Sequence, residues 1–253
     1  MHGSGLNRKV SLKESFVMSI EGEKSMGKEK SVMRWGGLAG MLGSVAFIFT
    51  IVILLGFVPA TPTTTEGLIM RYRDAIVAIT AGQIVYLVAV ILWVTLFLAL
   101  YRALRGSSPA PALFGSGLSF MGLVVYAVGA LPVLALAPIS NLYHASGATS
   151  VQQATLVLIW QATQGIFNET DTVGFAVFSI GLIVLGVAML RVPAFGKIFG
   201  GVSVVIGVAG VLGISLVAID SPSFSIFGIL AFIIYPLLFG WKLYSLSRKA
   251  KSG

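Results

Sequence analysis

The sequence predicts an all-α protein: a polytopic bundle of about six transmembrane helices, with an extra amphipathic or re-entrant helix on the outer face. Hydrophobic residues fill 57% of the 253 positions and charged residues only 10%. With a mean hydropathy of +0.96, this composition is typical of an integral membrane protein. Several apolar runs reach the ~20 residues that a spanning helix needs, and none alternates like the strands of a membrane barrel.

The two ends of the chain differ from its middle. Residues 1–34 are polar and carry seven of the 17 Lys and Arg residues. Such a segment buries too little apolar surface to offset the entropy of ordering, so we expect a flexible basic cytoplasmic tail. Residues 247–253 form a second basic tail. Met18, Met26 and Met33 leave open a later start of translation, but the apolar run after Met33 is too long for a signal peptide and predicts an uncleaved span.

A single transmembrane domain is predicted over residues 35–246. Its spans are expected at about Trp35–Phe57, Ala75–Leu100, Leu113–Leu136, Thr172–Leu190, Ile198–Ile219 and Ser225–Leu246. Basic residues test this layout: seven fall in the first tail, two in each of the loops after the second and fourth spans, and four at the C-terminal end. Only Arg71 and Arg73 fall on the other side. The positive-inside rule then places both termini in the cytoplasm, and the number of spans is even.

The stretch Thr149–Leu190 decides the layout of the outer side. As one helix, its 42 residues would measure about 63 Å, roughly twice the hydrocarbon thickness of a bilayer. We therefore expect a break at the polar cluster Asn168-Glu169-Thr170-Asp171, which should lie at the water boundary because charge at the bilayer centre is costly. The following span would start at Thr172, with Thr170 or Asp171 as its N-cap.

Residues 149–167 would then lie outside the membrane or at its surface. Gln153, Gln161 and Gln164 fall near one helical face, with apolar residues between them. This pattern favours an amphipathic helix on the outer leaflet or capping the bundle. A re-entrant helix is the alternative.

Three spans begin with the same pattern: an aromatic residue, Gly, a small residue, and a second Gly seven residues after the first. The glycine pairs are Gly36 and Gly43, Gly115 and Gly122, and Gly200 and Gly207. Small residues at this spacing share a helix face and let two backbones approach closely, so these six glycines are predicted helix-packing positions. The pattern indicates either three parallel helical hairpins or a chance alignment among 30 glycines.

The sequence also excludes or disfavours several functions. Without cysteine there are no disulfides, thiolate metal sites or cysteine nucleophiles. The sequence has no phosphate-binding loop and no metal-spaced histidine cluster. No predicted span carries a charge near its centre, which counts against proton-coupled pumps. Membrane orientation explains the placement of the +8 net charge, so we expect no nucleic-acid partner. We also expect no cofactor.

Two groups of polar residues are candidate sites on the outer side. Gln83, Gln161, Gln164 and Asn168 are candidates for lining a ligand or solute site, although Gln83 could instead form a hydrogen bond between helices. His144, Glu169 and Asp171 offer groups that suit a divalent metal ion or an acid/base pair, with Arg71, Arg73 and Asp74 expected opposite them. The alternative is that these are ordinary loop charges, with the two arginines facing lipid phosphates. No catalytic residue is assigned.

Three segments resemble a family of uncharacterised prokaryotic integral membrane proteins, the domain of unknown function 4386. They are LFLALYRALRG (Leu96–Gly106), LFGSGLSFMGLVVYAVGAL (Leu113–Leu131) and RVPAFGKIFGGVSVVIGVAGVLG (Arg191–Gly213). The resemblance covers roughly Trp35–Leu246. It implies a bacterial or archaeal cell membrane and six or seven helices, and it supplies no activity and no catalytic residues.

The sequence therefore favours a non-enzymatic, multi-pass protein of the prokaryotic cell membrane. Beyond the bilayer, its expected partners are a lipid, a small hydrophobic ligand, or another membrane subunit, including a second copy of the chain. One alternative is a transporter or channel for a neutral solute, which would need a continuous polar path past Gln83. The other is an interfacial enzyme, which would need His144, Glu169 and Asp171 within about 8 Å of one another.

Overall fold

A computed structural model describes residues 4–59, 62, 64–217, 228 and 230–249 of the chain. Every regular element among these residues is helical, which confirms the predicted fold class. The elements are α1 (Ser4–Phe57), α2 (Thr65–Asp74), α3 (Ile76–Leu104), α4 (Pro109–Tyr143), α5 (Ser150–Leu190), α6 (Gly196–Val217), a π-helical turn (Leu230–Ile234) and α7 (Tyr235–Lys249).

Five helical segments in the described part of the chain are long and apolar enough to cross a membrane. They are Glu29–Phe57, Ile76–Leu104, Pro109–Tyr143, Ser150–Leu190 and Gly196–Ile214. The exterior of the bundle is apolar: Leu55, Val77 and Ile198 are each about four-fifths exposed. Side chains of this kind belong in lipid, so the helices form a membrane bundle. The end of the predicted fifth span and the start of the predicted sixth span lie outside the described residues.

The helices pack in an order that departs from three consecutive hairpins. α1 packs mainly against α3 and α7, and α4 packs mainly against α5. Among the described residues α6 packs mainly against α5, and its contacts with α7 include the Phe199 and Phe239 rings at 5.6 Å between centroids. The α6–α7 pair is therefore less closely packed than the α1–α3 and α4–α5 pairs, so the described helices do not form three equivalent hairpins. Small residues on α6 match the surface of α5, whereas α7 uses its own glycine, Gly240, to approach α1 at Gly37.

A second, smaller hydrophobic core lies beneath α2, apart from the main core of the bundle. Ile69 and Tyr72 of α2 are buried with Val133 and Leu136 of α4 and Trp160 of α5. The Tyr72 hydroxyl donates a hydrogen bond to the Val133 carbonyl at 2.6 Å. In the opposite direction, the Ser140 hydroxyl donates to the Ile69 carbonyl at 2.8 Å. α2 is thus anchored to the C-terminal half of α4 and the N-terminal half of α5.

The predicted break in Thr149–Leu190 is wrong, because α5 is one continuous helix. Its N-cap is Thr149, which forms a reciprocal capping box with Gln152, and not Thr170 or Asp171. At roughly 1.5 Å per residue, α5 is about 61 Å long, more than a bilayer core requires. The predicted outer helix and the predicted fourth span are therefore two halves of the same element.

The polar cluster does not break α5 because its groups are accommodated along the helix. The Thr170 and Thr172 hydroxyls donate to the carbonyls four residues earlier, at 2.6 and 2.9 Å, a pattern that helices tolerate. Close packing against α4 continues past the cluster, since a Cβ added at Gly129 would lie 3.2 Å from Thr170 Cγ2. Neighbouring α4 therefore supports α5 on both sides of the cluster.

α1 also includes most of the predicted basic tail, because it is helical from Ser4. Adding residues to an existing helix costs little, since each one contributes a hydrogen bond. Glu29 also ties this part of α1 to the end of α3, through ion pairs with Arg102 at 3.3 Å and Arg105 at 3.5 Å. These partly exposed pairs contribute little energy, but they gather basic residues at the end of the bundle opposite α2.

Candidate functional site

A cavity of about 540 Å³ lies between α1 and α5, at the α2 end of the bundle. This volume is in the range of small-molecule sites. Most of its wall is apolar, and its polar groups come from different helices. The lining residues are Phe47, Thr50, Ile51, Leu54, Leu55, Gln83, Tyr86, Tyr126, Phe167, Asp171, Gly228 and Phe232.

Helical spacing brings each set of lining residues onto one face. On α1 the lining positions are Phe47, Thr50, Ile51 and Leu54, which follow the three-and-four spacing of a helix face. Gln83 and Tyr86 are three apart on α3, and Phe167 and Asp171 are four apart on α5. The continuity of α5 matters here. A chain that turned away at Asn168 would not present Phe167 and Asp171 on the same face.

Asp171 is the acidic residue among those that line the cavity. It is half-buried, and its carboxylate neither accepts a hydrogen bond nor forms an ion pair with any described residue. It shares the lining of the cavity with the phenol groups of Tyr86 and Tyr126. Gln83, across the cavity, makes no hydrogen bond to a described residue either. Two polar groups of the lining are therefore available to a ligand.

An aromatic layer underlies the cavity and is centred on Phe232 of the π-helical turn. Its ring stacks on Trp93 and Phe178, both at 5.2 Å between centroids, and meets Tyr126 edge-on at 5.0 Å. The π-helical turn comes just before Pro236, which has no N–H to donate to the helix. Ser44 of α1 donates to the Ile233 carbonyl at 3.1 Å, which anchors the turn.

This layer bears on the transport alternative. Beneath Phe232, the side chains of Phe97, Tyr235 and Phe239 are fully buried and stacked on one another. No continuous polar path therefore leads from Gln83 through these described residues. The cavity is closed by packed rings on the side that faces the chain termini.

The predicted ligand-site residues are only partly brought together. Gln83 lines the cavity, whereas Gln161, Gln164 and Asn168 do not. Gln161 donates to the Thr65 hydroxyl of α2 at 3.2 Å, and Gln164 lies 3.5 Å from Asn168 on the same helix. Gln161 therefore helps hold α2 in place. Asn168 and Glu169 face outwards on α5.

The predicted metal site at His144, Glu169 and Asp171 is wrong. No group of three or more His, Asp or Glu side chains in the described part of the chain could hold a metal ion. Asp171 lies level with Gly129 of α4, and His144 is 15 residues further along, about 22 Å at roughly 1.5 Å per residue. His144 instead places Nδ1 2.9 Å from the Ser140 carbonyl. The same separation excludes an acid/base site built from these three residues.

The six predicted packing glycines all lie where helices approach closely. A Cβ added at Gly43 would lie 2.7 Å from Trp93 Cδ1, and Gly36 meets Ala99. On α4, Gly115 and Gly122 face Leu185 and Phe178 of α5 at 2.7 and 2.6 Å. Gly200 and Gly207 of α6 face carbonyls of Gly186 and Ser179 on α5, at 2.9 and 2.6 Å.

The sequence contained a signal for the placement of Asp171 that the prediction missed. On α4 the seven-residue glycine spacing continues from Gly115 and Gly122 to Gly129, and on α5 it recurs at Gly174 and Gly181. A Cβ at Gly174 would lie 3.3 Å from the Gly122 carbonyl, so these two stripes face each other. The matching spacing indicates one uninterrupted helix pair, which carries Tyr126 and Asp171 to the same level.

Comparison with known proteins gives one match. No curated protein and no solved structure is significantly similar to the chain. A family model described as "Domain of unknown function (DUF4386)" matches residues 60–244, from just after α1 into α7. With about three-quarters of its length matched and a bundle of long apolar helices, the chain belongs to the DUF4386 family, as the resemblance of its sequence segments indicated.

Proposed function

We propose that the protein is a non-enzymatic, multi-pass protein of the cell membrane that binds a small, largely apolar ligand in the cavity between α1 and α5. The observation that carries this proposal is the cavity itself. It combines an apolar wall with two polar groups, Gln83 and Asp171, that have no described partner. Ligand sites in proteins commonly have this composition: apolar walls with a few oriented polar groups.

The arrangement of the described residues favours binding over catalysis or transport. The acids and histidine that an enzyme would use do not converge. A transported solute would have to pass between Phe232 and the stacked rings beneath it. A bound molecule needs neither a reactive group nor a path through the bundle. Access from the bilayer suits this cavity, since the exposed Leu55 forms part of its edge.

The proposal is tested by filling the cavity with a larger side chain and identifying which co-purifying molecule the protein then no longer retains. Ile51→Trp adds a large ring at a lining position of α1. Val52→Trp adds the same ring at the next position, which is exposed and does not line the cavity. Each protein would be purified in mild detergent, and the small molecules that co-purify would be identified by mass spectrometry.

We expect a molecule that is retained by the wild-type protein and by Val52→Trp but lost from Ile51→Trp. Thermal unfolding of all three proteins would show that both variants fold. If all three retain the same molecules in the same amounts, or if none retains any, the proposal is wrong.

A further inference from the structure

The charge of Asp171 narrows the chemical class of the cavity's ligand. A carboxylate that stays ionised in a mostly apolar wall needs a cation or several hydrogen-bond donors to balance its charge. Neither comes from the described residues around Asp171. Two arginines lie at this end of the bundle, on α2: Arg71 donates to the Pro59 carbonyl at 2.6 Å, and Arg73 is exposed. Neither arginine lines the cavity.

The sequence also shows that the connection after α6 supplies no cation to balance Asp171. Residues 218–229, which connect α6 to the π-helical turn and include the lining residue Gly228, contain no Lys, Arg or His. This connection therefore brings no side-chain cation to the cavity. The balancing charge is left for a ligand to supply.

The aromatic groups around Asp171 suit the same ligand. Tyr86 and Tyr126 line the same cavity as the Asp171 carboxylate. Aromatic rings attract cations through their negative faces, and rings combined with a carboxylate recognise ammonium groups. The Gln83 carbonyl oxygen is available to accept a hydrogen bond from an N–H of a protonated amine.

The apolar part of the lining suits a hydrocarbon chain. Phe47, Ile51, Leu54 and Leu55 of α1 and Phe167 of α5 contribute apolar side chains to the same cavity as the polar groups. A molecule with a cationic head and an apolar tail could therefore match both parts of the lining at once. An anionic head would meet the Asp171 carboxylate.

We propose that the cavity binds amphiphilic cations, with an ammonium head between Asp171, Tyr86 and Tyr126 and an apolar tail along α1. This inference rests on the proposed ligand-binding function and adds the charge of the ligand to it. Asp171 is the residue that sets the preference for a cation. Gln83 and the two tyrosines position the head.

The test uses three probes that share a decyl tail: decylammonium, decanol and decyl sulfate. Equilibrium binding of each probe would be measured on full-length protein in lipid nanodiscs, with empty nanodiscs subtracted. Asp171→Asn removes the charge inside the cavity. Glu169→Gln, two residues away on the same helix, removes an exposed carboxylate and serves as the matched control.

The wild-type protein should bind the cation more tightly than decanol and should bind decyl sulfate least. Asp171→Asn should weaken binding of the cation by at least about tenfold and leave decanol unchanged. Glu169→Gln should change the affinity for the cation by less than about twofold, because exposed charges act weakly. The ranking of the three probes on the wild-type protein tests the proposal even if Asp171→Asn does not fold.

The outcomes separate this inference from the proposed function. If decanol binds as tightly as the cation, or if Asp171→Asn binds the cation as well as the wild type, the cavity binds ligands but the preference for cations is wrong. Tightest binding of decyl sulfate would also overturn the preference. If no probe binds above the level of empty nanodiscs, both proposals fail.

Discussion

Gly37 of α1 and Gly240 of α7 meet backbone to backbone. A Cβ added at Gly37 would lie 2.5 Å from the Gly240 carbonyl oxygen, and a Cβ added at Gly240 would lie 2.6 Å from the Gly37 carbonyl oxygen. Helices in a membrane associate through packing of this kind, because no hydrophobic effect draws them together there. The contact holds α7 against α1, and with it the π-helical turn that carries Phe232 under the cavity.

Replacing either glycine should therefore destabilise the bundle. We expect Gly37→Ala and Gly240→Ala each to lower the free energy of unfolding by about 1–3 kcal/mol, the usual cost of overpacking. Thermal unfolding in mild detergent would measure the change. Gly201→Ala is the control, because a Cβ there meets nothing within 4 Å, and a helical Gly→Ala change in open space is neutral or mildly stabilising. Equal stability of all three variants would contradict the close contact.

The continuity of α5 can be tested with spin labels, because the chain has no cysteine. Val151→Cys and Val187→Cys place labels on exposed sites 36 residues apart. In one straight helix their Cα atoms are about 54 Å apart. Val173→Cys with Val187→Cys is a control pair at about 21 Å, which lies on the C-terminal side of the polar cluster. A break that turns the chain back at Asn168 would shorten the first distance and leave the second unchanged.

The stability that Tyr72 contributes to the second core should depend on pH. Burial raises the pKa of its hydroxyl above the ordinary value of 10.0. Because the folded chain holds this proton more tightly than the unfolded chain does, the stabilisation is complete below about pH 10 and is lost as the pH rises past the raised pKa.

Tyr72→Phe removes both the proton and the hydrogen bond to the Val133 carbonyl. We expect this variant to be less stable than the wild type by about 0.5–1.5 kcal/mol at neutral pH. The difference should shrink as the wild-type hydroxyl ionises. Denaturation at several pH values would measure it. Tyr143→Phe is the control at neutral pH, where it should cost less stability than Tyr72→Phe because the Tyr143 hydroxyl makes no hydrogen bond to a described residue. A constant difference across the pH range would contradict the role of Tyr72.

The orientation in the membrane remains a prediction of the charge pattern, and cysteine labelling tests it. Ser146→Cys lies in the exposed turn between α4 and α5, and Ser107→Cys lies in the exposed turn at the other end of α4. If both termini are cytoplasmic, a membrane-impermeant maleimide should label Ser146→Cys in intact cells but label Ser107→Cys only after lysis. The reverse pattern would place the basic end of the bundle outside, against the positive-inside rule.

Local patterns predicted the helices well because each helix is encoded by its own residues. The apolar runs predicted the fold class, and the cores of the predicted spans fall within α1, α3, α4, α5 and α6. The six spaced glycines lie at helix contacts for the same reason, since one helix face is defined by spacing alone. The partner of each face was harder to predict: Gly200 and Gly207 face the preceding helix α5 and not the following one.

The polar cluster in α5 shows where local reasoning failed. A charge cluster between two apolar blocks usually marks a water boundary, and this pattern predicts that a helix ends there. In the structure the threonines bond to their own helix and Gly129 lets α4 follow α5 past the cluster. The same continuity separates His144 from Asp171 and places Asp171 beside Tyr126.

By itself, the sequence determined that this protein is a helical membrane protein and which helix faces can pack closely, because hydropathy and residue size act within one helix. Tertiary structure alone decided that α5 stays straight, that α7 pairs with α1, and that Gln83 and Asp171 share a cavity. Those relationships depend on contacts between helices far apart in the chain. Their free energy comes from side chains and backbones that meet only once the bundle has assembled.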